Sequence, residues 1–266
     1  MSESTDFYMS WLGCSAFGTG SRQQATIVPP VVFQPTDLSD CLIWLDATDN
    51  LTITPVIGQP NDVGVWENKG TYTTNALADV GSVQTGIDTI NSLNVITFTA
   101  GSQLQMDFQP SANPLTLFFI VKPVTDLSNA AIPFMSFFSA VSDTGSISAG
   151  MSFAHPNFSY ALGPNGVSIT LAADNTTDVT GVPLLITMRN DTTSNNKLNL
   201  NGATQTLTFD DTASFTLSLF TYLLGYNTHN TAFQMGEFIL YNRALSDTEV
   251  GIVETYLTDK WNIQPL

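Results

Sequence analysis

From Asp40 onward, apolar positions come in short bursts, and Gly, Pro, Asn and Asp punctuate between them. Val, Ile, Thr, Phe and Tyr dominate the bursts, which is the pattern of β-strands. Thirteen strands are predicted. They run over 42–47, 93–99, 103–108, 115–122, 133–140, 148–154, 158–162, 167–172, 182–190, 197–201, 204–210, 218–227 and 235–242. In "KLNLN" Leu198 and Leu200 share one face, and in "TQTLTFD" Leu207 and Phe209 do. Asn201-Gly202 between these runs is a tight-hairpin signal, because both residues tolerate positive φ. "LTLFFIVK" and "VPLLITM" are unbroken apolar runs, as expected of strands buried on both faces. So many short strands with frequent turns predict a two-sheet sandwich or a barrel, without internal repeats.

The period changes near the C-terminus. Val250, Val253, Leu257 and Trp261 recur at helical spacing. Ser246 is a good N-cap, Glu249 three residues on completes a capping box, and Leu245 can staple against Val250. Asp247 adds favourable charge to the first turn. Thr248, Glu254 and Asp259 are left for water. The element predicted is an amphipathic helix lying on the sandwich, with a packing role. At the other end, residues 1–36 are rich in Gly, Ser and Gln yet carry Phe7, Tyr8, Trp11, Leu12 and Phe17. Disordered tails usually lack such aromatics. These residues are expected to form an extended arm that docks onto its own domain or a neighbouring subunit, with Phe7, Tyr8, Trp11 and Phe17 as anchors. The sandwich domain is expected over 37–266.

Three passages, in order along the chain, carry a resemblance. They are "LIWLDATDNLTIT" followed by "VGVWENKG" (63–70), "LNVITFTAGSQLQM" with "LTLFFIVKP", and "GEFILYNRALSDTEVGIVETYLTDKWNI" (236–263). Together they resemble the laminin-G-like branch of the concanavalin A-like lectin/glucanase superfamily, over roughly 40–264. In that branch the last strand carries Tyr-Asn-Arg-Ala-Leu-Ser and runs into a short helix ending near Lys-Trp. Here Tyr241, Asn242, Arg243, Ala244, Leu245 and Ser246 match, as do Tyr256, Leu257, Lys260 and Trp261. The resemblance implies an all-β, concanavalin A-like two-sheet antiparallel sandwich (a jelly roll) with one short C-terminal helix.

Composition narrows the function. Only 11% of the 266 residues are charged, so Thr, Ser, Asn and Gln must supply most of the polar surface. Seven basic residues against 23 acidic ones give a net charge of −16, which repels phosphate backbones. Nucleic acid is therefore excluded as a partner. The acidity serves solubility, or else calcium binding through Asp-rich loops at Asp46 and Asp49, Asp174 and Asp178, and Asp210 and Asp211. No EF-hand spacing is present, and no cofactor is expected. Cys14 and Cys41 allow one disulfide but make no framework, and free thiols are the expectation. No run of 18 apolar residues exists for membrane insertion. The first basic residue is Arg22, so no secretory signal pattern is seen, and the chain is expected to be intracellular or exported by another route.

Catalysis finds little support. Glycoside hydrolysis needs two carboxyl groups about 5–10 Å apart. The superfamily's enzymes place them on one strand as Glu-x-Asp-x-x-Glu, and none of Glu3, Glu67, Glu237, Glu249 and Glu254 begins such a pattern. The two histidines, His155 and His229, stand outside any nucleophile elbow or zinc-ligand spacing. Binding suits the residues better. The loop "LGYNTHNT" (224–231) offers Tyr226, Asn227, His229 and Asn230 to a hydroxyl-rich ligand. The resemblance extends to structural proteins of phages and large viruses. It implies a non-enzymatic subunit of a virion: a capsid decoration, spike or tail component held by its arm to other copies of itself or to a capsid or tail protein. Such a subunit would assemble in the host cytoplasm and could bind host-surface glycans. The alternatives are a free carbohydrate-binding lectin and, third, a glycoside hydrolase.

Overall fold

The structure, a computed structural model, describes residues 33–108, 114–124, 135–142, 147–154, 157–162, 169–174, 179–191, 197–205, 220–225 and 232–266. Between 135 and 174, and at 220–223, only the backbone is described. Among the described residues seventeen strands are formed. The first seven are β1 Cys41–Asp46, β2 Ile53–Val56, β3 Gln59–Trp66, β4 Ala76–Val80, β5 Val83–Ile90, β6 Leu93–Phe98 and β7 Gln103–Phe108. Next come β8 Leu115–Pro123, β9 Met135–Ser142, β10 Ile147–Ala154, β11 Asn157–Leu162 and β12 Ile169–Asp174. The last five are β13 Leu184–Asn190, β14 Lys197–Leu200, β15 Ala203–Thr204, β16 Phe220–Gly225 and β17 Phe233–Tyr241. The helix α1, Asp247–Trp261, follows.

Among the described residues all pairings are antiparallel. One sheet runs β15-β14-β13-β8-β17. The far edge of β17 is shared by β1 along Glu237–Tyr241 and β6 along Phe233–Met235, and β5 continues from β6. The other sheet runs β2-β3-β4-β7-β16-β9-β10-β11-β12. A core between the sheets takes Val63, Trp66, Leu104 and Met106 from the second sheet and Ile43, Phe119, Ile186 and Phe238 from the first. A second apolar layer forms where α1 covers the first sheet's outer face, with Trp44, Phe118, Leu185 and Ile239 against Val250, Val253, Leu257 and Trp261. This explains the unbroken apolar runs. Along β8, Leu117, Phe119 and Val121 face the other sheet while Phe118 and Ile120 face the helix.

All thirteen predicted strand regions contain a strand, although TQTLTFD contributes only β15 at its start and is described no further than Gln205. Leu198 and Leu200 are both in the inter-sheet core. Asn201 and Gly202 have φ of 47° and 80° and join β14 to β15, as the hairpin signal required. Four strands, β2 to β5, were not predicted. They hold Pro, Gly, Asn and Asp, and most of their side chains are exposed or half-buried, so no apolar period marks them.

The helix has the predicted capping box, with Val250, Val253, Leu257 and Trp261 buried. Glu254 corrects its assignment to water: it is half-buried and accepts from Asn199 Nδ2 at 2.9 Å. Asn262 ends the helix in the left-handed region at φ 48°. Cys41 is a free, buried thiol, which burial pushes up to about 12. Among the described residues, no helix is long and apolar enough to cross a membrane.

Candidate functional site

The charged residues of the first sheet's outer face form two groups under α1. The first is organised by Glu237. Without a bulge, Phe233, Met235 and residue 237 would share one face of β17. The register shifts between Met235 and Glu237, so Phe238 takes the core position and Glu237 turns toward the helix. Gly236, at the shift, leaves its side open for the Trp261 ring, and a Cβ there would lie 2.5 Å from a ring carbon.

Glu237 is fully buried. Its carboxylate accepts from Trp44 Nε1 at 2.7 Å, Trp261 Nε1 at 2.8 Å, the Tyr256 hydroxyl at 2.9 Å and Lys260 Nζ at 2.8 Å. Lys260 also donates to Asp46, which lies opposite Glu237 in the β1–β17 register. Asp46 holds the Thr48 hydroxyl and Lys69 Nζ as well. Burial raises the Glu237 carboxyl above its usual range, against the attraction of Lys260, and Asp46 adds to the rise. Burial works the same way on Asp46, but Lys260, Thr48 and Lys69 outweigh it and lower that carboxyl. The two environments split a carboxyl pair as an acid–base site would. Here, however, four donors occupy the buried member, and two of them are the indoles that seal the layer. This group fastens α1 to the sheet.

The second group lies at the start of α1. Arg243 grips Glu249 through two bonds, Nη1 to Oε2 at 2.9 Å and Nη2 to Oε1 at 2.7 Å. Arg243 and the Ser246 N–H hold the Glu249 carboxyl down at about 2. Thr116 Oγ1 donates to the Arg243 carbonyl and accepts from Leu245 N–H, both at 2.9 Å, which latches the turn to β8. The Tyr241 hydroxyl donates to Pro35 O at 2.9 Å. The Tyr-Asn-Arg-Ala-Leu-Ser passage is therefore a hinge that sets the helix on the sheet. Beside it, Arg189 of β13 reaches the Leu245 carbonyl at 2.8 Å and Asp247 at 2.7 Å, and Lys197 of β14 reaches Asp247 at 2.8 Å. Between these strands and α1 lies a cleft of about 240 Å³.

The residues predicted as a sugar-binding loop, Tyr226, Asn227, His229 and Asn230, lie outside the described residues, as do the arm anchors Phe7, Tyr8, Trp11 and Phe17. Of the calcium candidates, Asp178, Asp210 and Asp211 lie outside as well, and Asp174 is placed only as the last residue of β12. Asp46 and Asp49 are taken by protein cations, with Lys69 Nζ at 3.2 and 2.9 Å. Among the described residues no cluster of three or more His, Cys, Asp or Glu could hold a metal ion. Sequence reasoning missed Glu237, Lys260 and Arg189 as site residues. Their signal was a lone charge inside an apolar strand, "GEFILY" and "LLITMR", or a lysine one residue before the stripe's last tryptophan.

No protein-family model matches the chain, and no curated protein sequence matches it. Solved structures do. The receptor binding domain of botulinum neurotoxin D superposes with a TM-score of 0.61 at 14% identity, covering 84% of this chain and 53% of that one. The botulinum neurotoxin serotype D ligand binding domain in complex with N-acetylneuraminic acid gives 0.60 at 17% identity, over 81% and 50%. The binding domain of botulinum neurotoxin DC in complex with SialylT gives 0.62 at 12%, over 82% and 52%. This chain thus spans about half the length of those proteins. They share its fold, an antiparallel all-β sandwich.

Proposed function

We propose that this protein is a non-enzymatic attachment module whose sandwich binds cell-surface glycans. One observation carries the reading: over four-fifths of the chain superposes on receptor-binding and ligand-binding domains, one of them in complex with a sialic acid. The buried acids add support, because Glu237 and Asp46 are engaged in holding the terminal helix rather than presented to a substrate. The finer reading places the module in the laminin-G-like branch, as a capsid decoration, spike or tail subunit of a virion. Its arm, residues 1–36, would then dock onto other copies or onto a capsid or tail protein.

Two measurements test this. The full chain is applied to an array of cell-surface glycans, where dose-dependent binding to a defined set is expected. Its solution mass is then compared by light scattering with that of a chain starting at Asp37. A defined oligomer that becomes a folded monomer on truncation is the outcome the assembly reading requires. Monomers in both cases, with a glycan bound, would leave a free lectin in its place.

A further inference from the structure

The group around Glu237 brings one amine and two carboxyls together away from water. Lys260 Nζ lies 2.8 Å from Asp46 Oδ1 and 2.8 Å from Glu237 Oε2. Its third acceptor is the Tyr256 hydroxyl, at 3.1 Å. The Lys260 side chain is 20% exposed, that of Asp46 6% and that of Glu237 0%. Two buried indoles, Trp44 and Trp261, wall the group. Three elements supply it. Asp46 ends β1, Glu237 stands opposite on β17, and Lys260 lies in the last turn of α1. An ion pair held in this way is costly, because its attraction must offset the solvation that both charges lose. A neutral bond between the same two groups would remove that cost.

We infer that Lys260 and Asp46 condense into an amide, an isopeptide cross-link between α1 and β1, with Glu237 carrying the proton. The Lys260 ammonium gives one proton to the Glu237 carboxylate, 2.8 Å away, and becomes an amine. The amine lone pair bonds to Asp46 Cγ, and the carboxyl π electrons shift onto Oδ2. Lys69 Nζ, 3.2 Å from Oδ2, balances the charge that gathers there. Oδ1 then takes one proton from the newly bonded nitrogen and one from Glu237, and leaves as water. Thr48 steadies that oxygen, donating its hydroxyl at 2.7 Å and its N–H at 3.1 Å. The electron pair on Oδ2 returns to close the carbonyl. One ammonium and one carboxylate have become one amide and one water. Glu237 ends as it began, and no oxidant, reductant or co-reactant is consumed.

In bulk water such a condensation runs backward. Here burial favours the neutral product, and the fold holds the reactants in contact, where effective molarities reach about 10⁵–10⁸ M. Burial also raises the Glu237 carboxyl, which suits it to accept a proton from its neighbour. Asp46 starts as the carboxylate, and Lys69 and Thr48 are placed to take up charge as the amine adds. Lys69 offers a contrast. It too reaches Asp46, but its other ion pair is with Asp49, whose side chain is 31% exposed. Water solvates that pair, and a solvated ammonium keeps its proton. The Lys260–Asp46 bond would tie the first strand of the sandwich to its last helix, a ring that encloses most of the chain. It forms once, within the chain, and does not depend on the glycan-binding reading.

The test is the intact mass of the purified full chain, measured after denaturation. It is expected to fall below the sequence mass by one water. Tryptic digestion is expected to release residues 23–69 joined to residues 244–266, because an acylated Lys260 is not cleaved. Lys260→Arg, which keeps the positive charge, is expected at its full sequence mass with no joined peptide. Glu237→Gln, folded by circular dichroism, is expected to stay unlinked as well. An unaltered chain at full sequence mass, with no joined peptide, overturns the cross-link. A water loss that persists in Lys260→Arg belongs to a dehydration elsewhere and overturns it too. A joined peptide formed as completely by Glu237→Gln as by the unaltered chain overturns the part given to Glu237. The unaltered chain decides the cross-link even where a variant does not fold.

Discussion

Glu237 shows how a single side chain can hold two layers together. A lone buried carboxylate is costly, and it is kept only where donors surround it. Trp44, Trp261, Tyr256 and Lys260 all donate to it. Removing the acceptor would strand three neutral donors and a lysine at once. Glu237→Ala is therefore expected to cost roughly 3–5 kcal/mol, the cost of breaking a buried pair, read from urea denaturation. Gly236 matters for a different reason. Its missing Cβ is where the Trp261 ring lies. Gly236→Ala is expected to cost about 1–3 kcal/mol through overpacking, and Trp261→Leu in the same chain should make that penalty smaller in a double-mutant cycle. Neither role could be read from sequence spacing. A charge in an apolar strand signals something, but its direction depends on a bulge that only the β8–β17 register reveals.

At the scale of elements, α1 was the most legible part of the chain. Its cap and staple, and each step along its stripe, span about one turn, and each was readable from residue type. Ser246→Ala is expected to cost about 1 kcal/mol, measured by thermal melts. The same terminus sets an acid dependence. Glu249 lies at about 2 in the folded protein against 4.5 for the free group, because Arg243 and the Ser246 N–H favour the carboxylate. A folded value below the unfolded one means that this contribution is complete above pH 4.5 and is lost as pH falls from there toward 2. Asp46, also lowered, acts with the same sign. Glu237 is raised, so its contribution has the opposite sign and is lost as pH rises above 4.5. Glu249→Gln should thus flatten the fall in stability below pH 4.5 and leave the dependence above it unchanged, as read from urea midpoints across pH. The strands were less even. β7 and β8 announce themselves because one or both faces are apolar. β2 and β4 are held mainly by backbone pairing, which leaves no trace in residue type.

At the scale of the whole molecule, the described residues place polar and charged side chains beneath the terminal helix. The first sheet is covered on one face by the second sheet and on the other by α1, so its apolar strands have no free face. That cover turns polar near the start of the helix, over Thr187, Arg189, Lys197 and Asn199, and near its end, over Glu237 and Asp46. The candidate sugar loop at 224–231 follows from residue chemistry alone. The cleft was not visible in that way, since its floor comes from two strands and its wall from a helix about 50 residues later in the chain.

The sequence by itself determined the β-rich class, the capped helix at the end and the Asn201-Gly202 hairpin. Each of these follows from side-chain period or backbone preference within a few residues. It also set the net charge of −16. The tertiary structure alone decided which carboxylates are fasteners and why Gly236 must be small. Those depend on strand register and on contacts between distant segments. A one-residue bulge is enough to reverse a side chain's face, and no local pattern records it.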